Sequence, residues 1–233
     1  MNELSYKNKR LSEFGTFYDS HQSFGTPERD VEYVEILGRN GDLIIDNDRY
    51  KNIEINIPCY INHNFLREYR RLMAFLMSTK GYNRLELTQE PNHFRMASFN
   101  GSINPSPNQF HRTGQFVLSF LCKPQRWLKS GERKVSIESS ETIINPTLFA
   151  SKPLIRCYGN GSLTINNQTI TISPHSFDYI DIDCDIMEAF CGSSNANSYV
   201  SFNSDEVTLE SGTNGITIDD LTKIEITPRW FEI

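Results

Sequence analysis

The sequence has no apolar run near the roughly 18 residues that a membrane-spanning helix needs, so no membrane insertion is expected. It has no H-E-x-x-H, G-x-S-x-G, Walker or G-x-G-x-x-G motif, so the usual signatures of zinc proteases, serine hydrolases, and nucleotide and dinucleotide binders are missing. No C-x-x-C occurs either. The five cysteines, Cys59, Cys122, Cys157, Cys184 and Cys191, are odd in number and scattered, which excludes a zinc ribbon and a thioredoxin-type motif and predicts reduced, buried thiols. His21, His63, His93, His111 and His175 include no i,i+2 or i,i+4 pair of the kind that makes a common metal face. The first residues, Met1-Asn2-Glu3-Leu4-Ser5, lack the basic start and apolar stretch of a signal peptide, so a cytoplasmically made protein is expected and the three N-x-S/T sequons read as Asn-rich turns.

Apolar material is plentiful. The chain has 233 residues, 38% hydrophobic, 12% aromatic and 22% charged, a composition that argues against disorder and a length that suits one or two domains. Its net charge of −6 is unevenly spread. Up to Arg133 there are 18 Lys+Arg against 15 Asp+Glu, a net of +3; from Lys134 onward there are 5 against 14, a net of −9. This break predicts two domains with different surfaces and a boundary near residues 130–137. The acidic total makes nonspecific nucleic-acid binding by the whole chain unfavourable, because such binding needs Lys and Arg to displace counterions from phosphates. A mildly basic first half still suits a passage that nucleic acid traverses. Tyr6, Phe14, Phe17, Tyr18 and Phe24 crowd the amino terminus without interleaved basic residues, which predicts a strand docked into a core or onto a neighbouring subunit.

The dominant period is two. Ile53, Ile55 and Ile57 alternate with Glu54 and Asn56 up to Pro58; Leu85 and Leu87 alternate up to Pro91; Phe116, Leu118 and Phe120 alternate up to Pro124. Each reads as a strand ended by proline. Gly38-Arg39-Asn40-Gly41-Asp42 reads as a tight turn between strands Val31–Leu37 and Leu43–Ile45. One segment, 62–79, has the helical period, with Phe65, Tyr69, Leu72, Met73 and Leu76 on one face, Asn62 or Asn64 able to cap it and Gly81 able to close it. In the second half, Leu163 and Ile165 pair with Ile170 and Ile172 across Asn166-Asn167, and Ile216 and Ile218 are expected to pair with Ile224 and Ile226 across Asp219-Asp220. Short strands at close spacing predict a β-sandwich.

The most suggestive chemistry is the row Asp181, Asp183, Asp185, alternating with Ile180, Ile182, Cys184 and Ile186. On a strand such carboxylates share a face about 6.5–7 Å apart. That spacing suits an inverting glycosidase pair, or oxygen ligands for Ca²⁺. The simpler reading is a solvated strand face with the isoleucines inward, which explains the alternation completely. No catalytic residue, cofactor or metal is therefore assigned, and a metal at Asp181, Asp183 and Asp185 stays as the minority reading.

Three stretches, in order, resemble the distal tail protein family of long-tailed (siphovirus) bacteriophages of Gram-positive bacteria. The first is Tyr33-Val34-Glu35-Ile36-Leu37-Gly38-Arg39-Asn40-Gly41-Asp42-Leu43, similar to the family's strand and glycine turn, with Leu37 where proline is usual. The second is Tyr82–Leu87 followed by Glu90–Ala97. The third is Lys152-Pro153-Leu154-Ile155-Arg156-Cys157-Tyr158-Gly159-Asn160-Gly161-Ser162-Leu163-Thr164-Ile165-Asn166, leading to Ile180–Asp185 and to the closing Ile224-Glu225-Ile226-Thr227-Pro228-Arg229-Trp230-Phe231-Glu232-Ile233.

The resemblance implies a mainly β chain. Residues 1–133 would form an N-terminal β-sandwich or split-barrel-like domain with one helix that assembles into a ring. Residues 134–227 would form an outward, galectin-like β-sandwich, and residues 228–233 would return to the first domain with Trp230 as anchor. It implies a homohexamer in the virion's tail tip, joining the tail tube protein to a tail-associated spike or lysin and to receptor-binding or baseplate proteins, with DNA only passing through the channel and no enzymatic activity. The alternative from another class is a carbohydrate-binding module for host wall polysaccharide, and a glycosidase using the Asp row comes last.

Overall fold

The computed structural model describes residues 2–19, 25–99, 101, 103, 105–108 and 112–233. His21, Phe24, His111 and two residues of the first sequon, Asn100 and Ser102, lie outside the described residues. The protein is mainly β with one α-helix, and it divides into two compact units, Met1–Arg126 with Ile233, and Trp127–Glu232. The division falls just before the expected 130–137 region.

The first unit holds β1 (Leu4–Tyr6), β2 (Lys9–Arg10), β3 (Thr16–Tyr18), β4 (Arg29–Val34), β5 (Leu43–Tyr50), β6 (Ile53–Ile61), α1 (Phe65–Ser78), β7 (Asn83–Leu87), β8 (His93–Phe99), β9 (Ser106–Pro107) and β10 (Gly114–Leu128), the last two residues of which belong to the second unit. One nine-stranded sheet runs β2-β1-β7-β8-β10-β6-β3, with β9 and the strand Phe231–Glu232 on β10 as well. The expected alternation is in place: Ile53, Ile55, Ile57, Phe116, Leu118 and Phe120 all face one core. Tyr6, Phe14 and Tyr18 join that core, so the aromatic amino terminus is docked within its own unit. Tyr6 is fully buried, and its hydroxyl donates to Ala97 O (3.2 Å) and accepts from Phe99 N (3.3 Å), so no polar atom is stranded.

The helix buries Phe65, Leu72 and Leu76, with Tyr69 and Met73 half-buried beside them. Asn64 does occupy the N-cap, but in the left-handed region (φ 48°), and its side chain makes no cap bond. Its carbonyl accepts from Arg67 N and Glu68 N instead. Thr79, rather than Gly81, closes the helix by donating both its N–H and its hydroxyl to Leu76 O. Two strands also run past the prolines expected to end them. In β6, Pro58 lies opposite Val117, and its carbonyl points away from β10 to accept from Asp19 N. Its missing N–H therefore falls on the side where β3 has already ended, and no ladder bond is lost. In β10, Pro124 comes after Cys122, the last residue paired with β6.

The second unit holds β11 (Val135–Ile137), β12 (Glu141–Asn145), β13 (Leu154–Tyr158), β14 (Gly161–Ile165), β15 (Gln168–Ile172), β16 (Ile180–Asp183), β17 (Glu188–Cys191), β18 (Ser194–Asn195), β19 (Val200–Phe202), β20 (Gly212–Asp219), β21 (Lys223–Thr227) and β22 (Phe231–Glu232). Two sheets, β11-β21-β13-β16-β17-β18 and β12-β20-β14-β15-β19, bury one shared core. The β14–β15 hairpin across Asn166-Asn167 is as expected. The pair across Asp219-Asp220 is not a hairpin. β20 pairs with β12 and β14, whereas β21 pairs with β11 and β13, so residues 219–222 cross from one sheet to the other. Both strands face the same core from opposite sides, which is why their alternation looks alike.

In the closing segment Trp230 is buried in the second core, whereas β22 pairs with β10 and Ile233 groups with the first unit. The cause is local: Leu128 N donates to Trp230 O (2.9 Å) and Arg229 N to Gly131 O (2.8 Å), which ties the segment to the first residues of the second unit.

The sheet crossing sets one sharp requirement. Gly161, at φ +149°, packs so closely that a Cβ there would lie 2.2 Å from Asp219 O. Gly161→Ala should cost about 2–4 kcal/mol in urea unfolding. Gly215→Ala, in β20 with open space beside it, should stay within about 0.5 kcal/mol of the parent.

Candidate assembly interface

β4 and β5 form a two-stranded antiparallel hairpin that pairs with no other strand among the described residues. The register places Val34 opposite Leu43, Tyr33 opposite Ile44, Glu32 opposite Ile45 and Val31 opposite Asp46. Cross-strand partners share a face. One face of the ribbon therefore carries Val34, Leu43 and Ile45, and the other carries Tyr33, Ile44 and Val31. Neither is covered: Tyr33 is 65% exposed, Ile44 59%, and Leu37 in the connecting turn is fully exposed. Arg29 pairs with Asp46 (2.7 Å) and Arg49 with Asp30 (2.5 Å), holding the hairpin's root while its apolar part stays open. An isolated hairpin is marginal in water, and an apolar surface of this extent marks a contact site.

The Asp row has a different fate. Ile180 and Ile182 do point into the core, but the face of Asp181 and Asp183 is not simply solvated. Asp181 is buried, and it lies opposite Arg156 of β13, whose guanidinium binds both its oxygens at 2.7 and 2.9 Å and stacks 3.8 Å from the Tyr179 ring. Asp183 takes Arg229 in the same two-bond manner, at 2.7 and 2.9 Å. Asp185 is exposed, and its N–H donates to Asp183 Oδ1. Burial pushes the Asp183 carboxyl up, but the Arg229 hydrogen bonds and the Asp185 N–H outweigh it and hold the pKa below the ordinary 3.8. The row is thus neutralised by arginines from a neighbouring strand and from the closing segment. Among the described residues, no group of three or more His, Cys, Asp or Glu is placed to hold a metal. The arginines carry a sequence signal of their own, since Arg156 and Arg229 are the only arginines after Arg133.

The thiols are free, and four of the five are buried. Burial raises the Cys122 and Cys184 thiols to about 12, and raises Cys59 and Cys157 as well, so these four are inert at neutral pH. His175 is structural: its ring takes Phe177 N–H at Nδ1 and meets Gly159 O through Nε2.

The family model "Phage tail protein RIFT-related domain" matches residues 10–122. Residues 10–122 are thus similar to a phage tail protein domain. The distal tail protein gp 19.1 of phage SPP1, described as a paradigm of the hub adsorption apparatus in phages that infect Gram-positive hosts, is similar in structure at a TM-score of 0.75, with 11% identity and 100% of each chain covered. A chain of the phage p2 baseplate, in its activated conformation with Sr, is similar at a TM-score of 0.55, with 11% identity and 97% of each chain covered. Among curated proteins none matches the sequence. The fold of the whole chain is that of a siphophage distal tail protein.

The Asp183–Arg229 pair yields a signed expectation. Because the folded pKa is depressed, the pair stabilises the protein above the unfolded pKa and is lost as pH falls through the folded one. Asp183→Asn should lose about 1 kcal/mol at pH 7, a figure that allows for the pair's partial exposure. The difference from the parent should shrink steadily below about pH 4 in urea melts.

Proposed function

We propose that this tail protein is a structural hub, a homohexameric ring at the tail tip that joins the tail tube protein to the tail-associated spike or lysin and to the receptor-binding or baseplate proteins. The observation that carries the reading is the hairpin whose two apolar faces are left open by its own chain. A surface patch repeated in every copy and matched to a different patch on the next gives head-to-tail contacts, which close into a ring when the rotation permits. The first unit makes the ring and lines a channel that DNA passes through, in keeping with its mildly basic share of the sequence. The strongly acidic second unit faces outward and carries the adhesion partners. The protein works as a scaffold in the virion, after assembly in the host cytoplasm, and it uses no cofactor.

Two features weigh against the chemical alternatives. The carboxylates of a glycosidase pair must be available to protonate and to activate water, whereas both oxygens of Asp181 and of Asp183 are bound by guanidinium groups. A sugar platform needs an open aromatic face, whereas Tyr179 lies under Arg156 and Phe177 packs edge-on against Tyr199.

Light scattering on the purified protein should give a hexamer or a multiple of it, and negative-stain images should show rings with a central hole. Replacing Tyr33 and Ile44 together by lysine should shift the assembly to monomer without lowering the melting temperature, since neither side chain is in the core. At about 2 kcal/mol or more for an interface anchor, association should weaken at least about 30-fold. A strict monomer for the parent at high concentration would sink the ring.

A further inference from the structure

The first unit carries a second open surface, concave where the hairpin is convex. On the side of the sheet away from its core, β6 and β10 frame a groove of about 810 Å³ lined by Pro58, Tyr60, Gln115, Val117 and Ser119. The register explains its composition. Val117 lies opposite Pro58 and Gln115 opposite Tyr60, while Phe17 of β3 lies opposite Tyr60 and meets its ring at 6.1 Å. Phe17, Tyr60, Pro58 and Val117 therefore make an apolar band across three strands, and Val117 is 46% exposed. A recess of about 490 Å³ continues the groove past Tyr60, Ser106 and Gln115. Asp19 stands at the rim.

We propose that this groove receives the hairpin tip of the next copy of the same chain, with Ile36 and Leu37 on the apolar band and Arg39 toward Asp19; this rests on the ring reading above. Three observations favour a second copy as the occupant. Knob and groove sit at opposite ends of one strand: the hairpin joins β6 next to Ile53, while the groove lies around Pro58 and Tyr60, roughly 15–25 Å further along at strand rise. A hairpin leaving one end of a strand and a groove at the other produce chains of copies running in one sense, as a closed ring requires. The surfaces also match in chemistry, since each is an apolar band, the hairpin turn carries Arg39, and the groove lining includes Asp19. The area adds to this: seating Ile36 and Leu37 together with one face of the ribbon, Val34, Leu43 and Ile45, removes on the order of 500 Å² from water, more than half of the roughly 800 Å² per partner of a stable interface.

The test joins the two surfaces covalently. Leu37→Cys and Val117→Cys are made together in the full chain with Cys191→Ser, which removes the one thiol that is not buried. Under a mild oxidant, denaturing gels should show a ladder of disulfide-linked species up to six chains, while each single cysteine variant should give no species beyond a dimer. Both substituted side chains are exposed, so the melting temperature should match the parent's. In parallel, Val117→Arg should weaken assembly at least about 30-fold, whereas Met77→Arg, at an exposed position of α1, should leave it unchanged. A hexamer by light scattering with no ladder, and no effect of Val117→Arg, would overturn the docking and leave the ring standing; the groove would then belong to another tail component. A monomeric parent would overturn the ring reading and the docking with it.

Discussion

The rest of this structure depends on apolar side chains that its own chain cannot cover. Each core obeys the ordinary rule that the alternate apolar residues of a strand face inward, away from water. The β4–β5 hairpin breaks that rule on both faces. Tyr33 and Ile44 open one way, Val34, Leu43 and Ile45 the other. A ribbon of this kind costs free energy in water in proportion to its exposed apolar area, and among the described residues neither face has a neighbouring strand paired to it. The ion pairs at its root, Arg29 with Asp46 and Arg49 with Asp30, keep it extended as a hairpin rather than collapsed. What is a liability for an isolated molecule becomes a contact between copies in the proposed ring.

The two cores keep that contact well supported. In the first unit an aromatic cluster locks helix to sheet, with Tyr6 and Phe99 against Phe120 and with Phe65 and Tyr69 against Phe116. β6 emerges from this cluster and carries the hairpin at its start and the groove near its end, so both surfaces are held by one rigid strand. In the second unit the chain crosses between sheets at residues 219–222, and the close approach at Gly161 fixes that crossing. The closing segment then turns back along the start of the same unit, where Arg229 binds Asp183 and Trp230 fills the core.

Much of this was legible in the sequence, because a face that is buried on one side writes its period into the chain. The α1 stripe, the isoleucines of β6 and the β14–β15 hairpin all followed from periodicity. What periodicity does not encode is the identity of the neighbour. β20 and β21 alternate alike, yet they lie in different sheets. Pro58 looked like a strand end, but it falls where no ladder bond is asked of it, and Pro124 lies past the last residue paired with β6. The Asp row was visible, whereas its partners were not, since Arg156 reaches it through β13 register and Arg229 through a turn some forty-six positions downstream. The open hairpin had a signal that alternation alone hides. Leu43-Ile44-Ile45 places three apolar residues in succession on a strand, which puts apolar groups on both faces at once.

Charge decides which unit can self-associate. From Lys134 onward there are only five basic residues, and each of them is already spent within the second unit: Lys134 and Lys223 on Glu225, Lys152 on Glu206, Arg156 on Asp181 and Arg229 on Asp183. These five cations meet only four acids, so residues 134–233 keep a net charge of −9. Two such surfaces brought together repel at distances up to about 8 Å in physiological salt. Copies of the second unit thus disfavour one another, while the first unit, close to neutral and open on two apolar surfaces, favours contact. The same acidic surface would repel nucleic acid and attract a basic or hydrogen-bonding protein partner. The proposed ring, with association at one unit and docking of other proteins at the other, needs these two surfaces to behave differently, and in this chain the difference comes from where the arginines and lysines have been used.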